Sequence, residues 1–402
     1  MSMNDTPSAQ RIHIGFFGCR NAGKSSLVNA VTGQALAIVS EYKGTTTDPV
    51  RKAMELLPLG PVVVIDTPGF DDEGELGKLR VERAADALNR CDVAVLVVDG
   101  ALGIQPADER LLKLIRSRGV PHLVAWNKAD LRDALPPTDG AMAVSALTGA
   151  GVTEFKEALA RIAPEGNARR LVADLVDPGE VAVLVCPIDE SAPKGRLILP
   201  QQQAIRDLLD GGATALVTKE TELGAALRRL AEPPAIVVTD SQAFRVVGEI
   251  VPDDIPLTSF SILMARYKGF LEAAVEGVRA MRDLKDGDRV LMAEGCTHHR
   301  QCNDIGTVKI PRWLRAHTGV EPKIDTCSGR DFPDDLTPYR LVIHCGGCML
   351  TENVVLNRMR SAQAQGVPFT NYGIVIARMT GALERSVRPF PAIHAMLSGD
   401  GA

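Results

Sequence analysis

Two groups of residues in this chain have the types and spacing that chemistry requires. Gly18-Cys19-Arg20-Asn21-Ala22-Gly23-Lys24-Ser25 fits the pattern G-x-x-x-x-G-K-[ST], with Ser26 next in line. Its glycines let backbone N–H groups wrap phosphates, Lys24 neutralises the outer ones, and Ser25 can ligate magnesium. Far downstream, Cys296-Thr297-His298 and His344-Cys345-Gly346-Gly347-Cys348 offer thiolate and imidazole ligands to a soft metal. A phosphate loop and a soft-metal site on one polypeptide point to cofactor handling timed by nucleotide hydrolysis.

Three further motifs follow the phosphate loop in the order a nucleotide switch needs. Asp66-Thr67-Pro68-Gly69 closes an apolar run, so Asp66 can hold the magnesium shell and the Gly69 amide can sense the terminal phosphate. Asn127-Lys128-Ala129-Asp130 closes another run. Asp130 can accept two N–H bonds from guanine, whereas adenine would leave the carboxylate unpaired, so GTP and GDP are the expected nucleotides. Ser145-Ala146 completes the base pocket.

The elements that position these residues read as alternating strands and helices. His13 to Phe17, Gly60 to Asp66, Asp92 to Asp99 and His122 to Asn127 are near-continuous apolar runs, expected of parallel strands covered on both faces. Helices are expected over Lys24 to Thr32, Leu76 to Arg90 and Ala107 to Arg118. The result is a doubly wound α/β sheet with ligands at the carboxyl ends of its strands. A second α/β unit follows, with strands over Val181 to Pro187, Ala213 to Thr218 and Ala235 to Thr239, and helices over Gln201 to Asp210 and Glu222 to Leu230. It carries no phosphate loop or ligand cluster, and its Cys186 reads as a packed core thiol. In the third unit, Arg289 to Ala293 runs into Cys296 and Leu341 to Ile343 runs into His344 and Cys345. Two parallel strands ending side by side would bring Cys296, Cys345 and Cys348 together at the sheet's carboxyl edge, and Gly346 and Gly347 permit the tight loop this needs.

Composition narrows the class. The 402 residues are 45% hydrophobic and 24% charged, enough for two or three domains, and the net charge of -5 argues against a nucleic-acid partner. Residues 1–10 read as a short polar disordered tail without an apolar signal core, and no run reaches the roughly 18 apolar residues of a membrane span. A cytoplasmic protein is expected. Its eight cysteines are dilute, which suits a reducing compartment.

The first 165 or so positions resemble the TrmE-Era-Era-like group of small GTPases. In that resemblance Gly44-Thr45-Thr46-Thr47-Asp48 is the first switch, with Thr46 closing on magnesium, and Phe70 stands where Ras-like proteins place a water-orienting glutamine. Relatives with this change and an asparagine in the phosphate loop use potassium, so Asn21 is either a potassium ligand or a brace of the loop. The acidic run Asp71, Asp72, Glu73 and Glu75 reads as a solvated switch loop.

On residues alone, the cysteine-histidine set suits structural zinc as well as an iron-sulfur cluster. The paired motifs, with Ala192-Pro193-Lys194-Gly195-Arg196, Ile310-Pro311-Arg312-Trp313-Leu314 and Asn371-Tyr372-Gly373, resemble the HydF family of FeFe-hydrogenase maturation GTPases. That resemblance implies a GTPase domain over 11–165, a linker over 166–178, a dimerisation domain over 179–268 and an iron-sulfur cluster-binding domain over 269–402. It implies a homodimer or higher oligomer, and a 4Fe-4S cluster held by Cys296, Cys345 and Cys348. His298 and His344 are either ligands of the fourth iron or hydrogen-bonding neighbours. It further implies a scaffold or carrier that takes a di-iron subcluster precursor from radical-SAM maturases to apo FeFe-hydrogenase. Cys302 and Cys327 depart from the motif; Cys302, four residues after His298, is either a fourth thiolate or a spare thiol, and Cys327 reads as a spare thiol, while Cys19 and Cys91 have no assigned role. The competing readings are a zinc-stabilised tRNA-modification or ribosome-assembly GTPase, which would need a basic docking face that is not apparent, and a zinc-stabilised regulatory switch.

Overall fold

The computed structural model describes residues 11–34, 50–67, 69, 84–131, 141–164, 169–188, 197–295, 304–329 and 331–398. The chain divides into two compact units, Met1–Ala168 and Arg169–Ala402.

The first unit is built on one six-stranded sheet. Its strands are β1 (Ile12–Phe17), β2 (Val50–Leu56), β3 (Gly60–Asp66), β4 (Val93–Asp99), β5 (His122–Asn127) and β6 (Ala141–Ala143), in the order β2-β3-β1-β4-β5-β6. All neighbours are parallel except β2, which pairs antiparallel with β3 along the sheet edge. Apolar side chains point to both faces because helices cover both. Ile14, Val95 and Val97 pack with Leu27 of α1 (Lys24–Thr32) and Phe155 of α3 (Val152–Ile162). Phe17, Leu96 and Val98 pack on the opposite face with Leu111 and Ile115 of α2 (Pro106–Ser117). Helix α2 starts where it does because Pro106 follows Gln105 and the Asp108 carboxylate accepts the Gln105 N–H at 3.1 Å. Of the helix expected from Leu76 to Arg90, residues 84–88 are helical; 70–83 lie outside the described residues.

The second unit holds two parallel sheets of four strands each. One comprises β7 (Val181–Val185), β8 (Thr214–Thr218), β9 (Ile236–Thr239) and β10 (Leu257–Ser259), in the order β10-β9-β7-β8. The other comprises β11 (Arg289–Glu294), β12 (Lys323–Ser328), β13 (Leu341–His344) and β14 (Phe369–Asn371), in the order β12-β11-β13-β14. Read from the last strand inward, the two orders are the same. The sequence repeats with them: Thr258, Ile262, Ala265, Arg266, Gly269, Leu271, Glu272 and Val275 recur at one constant spacing as Thr370, Ile374, Ala377, Arg378, Gly381, Leu383, Glu384 and Val387.

Local structure repeats as well. Helix α7 (Phe260–Tyr267) is capped by the Ser259 side chain, which accepts the Ile262 N–H, and α11 (Tyr372–Met379) by Asn371, which accepts the Ile374 N–H. Each copy then passes a short helix to the other. Helix α8 (Leu271–Gly277), which follows the first copy, packs on β14 of the second, while α12 (Leu383–Val387), which follows the second, packs on β10 of the first. Gly277 sits so close to β14 that an added Cβ would lie 2.1 Å from the Phe369 carbonyl oxygen. A single apolar core therefore runs through both copies, from Leu184 and Phe260 to Ile343 and Ile374.

One expectation needs correction. Part of the segment read as a linker, 169–178, belongs to this core: Leu171, Val172 and Val176 are buried, and the Asp207 carboxylate accepts the Val172 and Ala173 N–H groups at 2.8 Å. The apolar residues between its charged ones carry that packing. The remaining helices are α4 (Leu199–Asp210), α5 (Leu223–Arg229), α6 (Phe244–Ile250), α9 (Ile310–Thr318), α10 (Glu352–Ala364) and α13 (Pro391–Ser398).

Candidate functional site

The carboxyl ends of β1, β3 and β5 meet at the phosphate loop. Lys24 is buried and donates from Nζ to the Cys19 carbonyl at 2.8 Å, so it lies across the loop it follows. Asn21 is exposed and holds a left-handed φ of 61°, which asparagine tolerates better than most residues. Ser25 donates from Oγ to Asp66 Oδ2 at 2.7 Å. Ser26 lies in the first turn of α1. Asp66 is buried, and its carboxyl pKa is raised by that burial, against the opposing effects of the Ser25 hydrogen bond and the Lys24 charge. Its Oδ1 is a buried acceptor without a hydrogen-bond partner among the described residues. An orphaned carboxylate oxygen beside a serine hydroxyl fits a magnesium shell. Thr67 donates to the Phe16 carbonyl at 2.6 Å, which ties the end of β3 to β1. Gly69 abuts the phosphate loop, where an added Cβ would come within 2.9 Å of Arg20 Cα. Thr46, Pro68 and Phe70 lie outside the described residues.

The residues expected to form the base pocket are tied to that loop by one asparagine. Asn127 donates from Nδ2 to the carbonyls of Ala22 (3.0 Å) and Gly23 (3.4 Å) and accepts the Ala146 N–H at Oδ1 (3.1 Å). Lys128 pairs with Asp99 at 2.6 Å. Asp130 is exposed and accepts a hydrogen bond from Ser145 Oγ, which in turn accepts the Thr148 N–H. All four motifs thus converge on one edge of the sheet.

In the second unit, β11 and β13 are adjacent, with Ala293 in register with His344. The Cys345 N–H donates to the Ala293 carbonyl at 2.8 Å, and Cys345 Sγ accepts N–H groups from Gly295 (3.1 Å) and Gly347 (3.3 Å). Both bonds aim backbone N–H dipoles at the sulfur. Cys296 follows Gly295 directly in sequence; it, His298 and Cys302 lie outside the described residues. Among the described residues no set of three or more metal-ligating side chains is complete. Cys348 is half-buried, and burial raises its pKa while Lys268 pulls the other way.

His344 is fully buried with both ring nitrogens engaged. Nδ1 lies 2.7 Å from the Cys345 carbonyl and Nε2 lies 3.0 Å from Arg358 Nη1. Arg358 can only donate, so Nε2 accepts and the proton sits on Nδ1. Burial, with the Arg358 charge second, pulls the imidazole pKa down to about 3.

Two neighbours of the cysteine loop were missed from sequence. Arg358 donates to His344, to the Glu294 carbonyl (3.5 Å) and to the Gly329 carbonyl, and lies over the Phe332 ring, so one guanidinium ties the ends of β11, β12 and β13. Lys268 is buried, and its Nζ donates to the carbonyls of Gly347 (2.5 Å) and Leu350; burial pulls its pKa down to about 8, opposed by Cys348 and Cys345. Each had a sequence signal. Lys268 is a cation inside the apolar run Phe260 to Leu271, and Arg358 shares a helix face with Val355 and Ala362.

A phosphate-binding switch and a cysteine loop, each on the carboxyl edge of its own sheet, define a GTPase domain joined to a larger α/β unit. Comparison with known proteins agrees. A model of 50S ribosome-binding GTPases matches residues 13–128, the hydrogen maturase F dimerization domain matches 171–269, and the hydrogen maturase F tetramerization domain matches 272–389. The chain belongs to the hydrogen maturase F (HydF) family. GTPase Der of Kosmotoga olearia is 38% identical over 125 residues, 30% of this chain and 28% of that protein. The tRNA modification GTPase MnmE of Laribacter hongkongensis is 36% identical over 154 residues, 37% of this chain and 34% of that one. The chain thus spans about a third of the length of these relatives. Era of Aquifex aeolicus aligns at 22% identity and a TM-score of 0.36, covering 52% of this chain and 92% of that one. No helix among the described residues is long and apolar enough to cross a membrane.

Proposed function

We propose that this protein is a GTP-hydrolysing scaffold that holds a 4Fe-4S cluster and carries a di-iron precursor to apo FeFe-hydrogenase. The observation that carries the reading is Cys345 Sγ, held at a strand end by two backbone N–H groups, one of them from the residue just before Cys296. Membership of the maturase family supports it. Cys296, Cys345 and Cys348 are the proposed ligands, and three thiolates leave one iron open to an exchangeable ligand. His344 acts as a brace: its Nδ1–H holds the Cys345 carbonyl and Arg358 holds its Nε2.

In the GTPase domain, Lys24 neutralises the outer phosphates, Ser25 and Thr46 complete the magnesium shell with Asp66, and Gly69 responds to the terminal phosphate. Asn21 supports a potassium ion beside the phosphates. Asn127, Lys128, Asp130, Ser145 and Ala146 select guanine. The second unit associates with further copies of the chain, as the domain models that match it are named for.

Anaerobic purification followed by iron, sulfide and zinc analysis tests this reading. Wild-type protein should be brown, with iron and sulfide in equal amounts. Cys296→Ala, Cys345→Ala and Cys348→Ala should each lose most of the iron while GTP hydrolysis persists, and Cys327→Ala should lose none. A colourless protein that carries zinc would overturn the reading in favour of a zinc-stabilised GTPase.

A further inference from the structure

We propose that Lys268 is a positioning residue for the cysteine site, its buried ammonium bracing the turn around Cys348 and supplying the positive charge that an anionic metal-thiolate centre needs beside it. The inference rests on Cys345 and Cys348 holding a metal centre, as proposed above. Lys268 is 3% exposed and caps the carboxyl end of α7. From there it crosses to the other copy, where Nζ donates to the Gly347 carbonyl at 2.5 Å and to the Leu350 carbonyl. Those two residues stand on either side of Cys348 in the sequence, so one ammonium fixes the turn that presents the thiol. Carbonyls satisfy the hydrogen bonds of an ammonium but do not cancel its charge, and a buried charge without a counter-ion is costly. No carboxylate among the described residues pairs with Lys268. The negative groups that act on it most strongly are Cys348, then Cys345, with Glu352 after them, and Glu352 is paired with Arg169 at 3.1 Å.

The internal repeat supplies a comparison within the same molecule. Thr380 occupies the Lys268 position in the second copy, at the spacing that relates Arg266 to Arg378 and Gly269 to Gly381. It turns back on its own helix, donating from Oγ1 to the Ile376 carbonyl at 2.8 Å. That helix, α11, packs against the corner after β9, where Asp240 stands in the place of Cys345 and Ser241, Gln242 and Ala243 follow. The copy that faces cysteines thus carries the lysine, and the copy that faces none carries a neutral hydroxyl. A cation only on the side where thiolates gather fits a counter-charge better than a general tie between the copies. Its electrical effect has a definite sign. An added electron makes a thiolate-bound cluster more negative, so a neighbouring ammonium stabilises the reduced form and raises the reduction potential.

The test compares Lys268→Gln, which keeps a hydrogen-bond donor but no charge, with Lys268→Arg, which keeps both, in the full chain with its metal bound. The reduction midpoint, read by electron paramagnetic resonance, should be lower in Lys268→Gln and close to the parental value in Lys268→Arg. Metal retention against a chelator should weaken by about tenfold in Lys268→Gln, the usual worth of one charge-assisted contact. A purely structural tie would alter retention and leave the midpoint in place. Nitrogen NMR of the lysine side chains adds a readout on the unaltered protein, in which the Lys268 ammonium signal should shift when the metal is stripped. An unchanged midpoint in Lys268→Gln, equal losses in the two variants, or an ammonium signal indifferent to the metal would overturn the inference. Iron, sulfide and zinc analysis of the parent judges the cluster reading separately: if the parent carries zinc, that reading falls, and retention and the ammonium signal still decide the role of Lys268.

Discussion

Replacing Arg358 by methionine should loosen the cysteine loop without touching any cysteine. Arg358 is 8% exposed, and its guanidinium serves two buried acceptors directly, His344 Nε2 at 3.0 Å and the Gly329 carbonyl, with a weaker bond to the Glu294 carbonyl at 3.5 Å. Each buried acceptor left without a donor costs about 1–3 kcal/mol, and loss of the Phe332 contact adds about 0.5–1 kcal/mol. Relief of the desolvation of a buried cation offsets part of this, so the net expected loss is about 3 kcal/mol. For a urea dependence of about 3 kcal/mol per molar, the unfolding midpoint of the second unit should fall by about 1 M. Nitrogen NMR of the histidine side chains gives a second readout. In the parent protein His344 should be neutral with its proton on Nδ1, and in Arg358→Met the Nε2 signal should shift as its donor is lost. Arg358→Lys, which keeps the charge but not the fork, should fall between the two. A midpoint and a His344 spectrum both identical to the parent would refute the view that this arginine ties the strand ends.

Other outcomes follow from the same geometry. Lys24→Ala should weaken nucleotide binding by about a hundredfold, read with a fluorescent GDP analogue, because a charged phosphate contact is lost, while the iron content stays at the parental value. Gly277→Ala should destabilise the second unit by about 2–3 kcal/mol in urea, since the new Cβ would lie 2.1 Å from the Phe369 carbonyl oxygen and backbone atoms on both sides resist moving. Burial, with the Asp240 charge second, pushes the Cys186 thiol up to about 12, so at pH 8 only about one molecule in ten thousand carries the thiolate. Differential alkylation with mass spectrometry should therefore leave Cys186 unlabelled in folded protein; rapid labelling would contradict its burial.

The parts of the fold that could be read in the sequence are those where one force dominates. Gly60–Asp66 and His122–Asn127 have the bounds expected, because strands buried on both faces are unbroken apolar runs bordered by polar residues. Strand β2, with Lys52 and Glu55 in its length, escaped notice: it lies at the sheet edge, where polar residues face solvent. Strand β12 was missed for the same reason, since Lys323, Asp325 and Thr326 lie along its edge position. Strands β10 and β14 are three residues each, too short to show a period. The nucleotide motifs were legible because backbone and phosphate constrain nearly every position. Arg358 and Lys268 were overlooked, because the carbonyls and the imidazole that receive their hydrogen bonds come from segments distant in the sequence. The repeat was hidden for another reason: its matching residues are scattered through two apolar helices whose remaining positions diverged in detail.

The exchange of α8 and α12 between the two copies makes the second unit a pair of half-domains that happen to share one chain. Neither half owns the helix that closes its own edge. Production of 171–269 alone would strip β10 of the helix that covers it, so such a fragment should pair with itself through the bared face whatever the intact protein does. A nick at 269–270 should be harmless by the same reasoning, with the two pieces recovered together and dissociated only by denaturant. Of the two halves, one carries Cys345 directly after β13 and the other carries Asp240 at the matching corner after β9. The half that carries the cysteine loop thus rests on its sibling, which supplies Lys268 to the Gly347 and Leu350 carbonyls, so the shape of that loop depends on both copies.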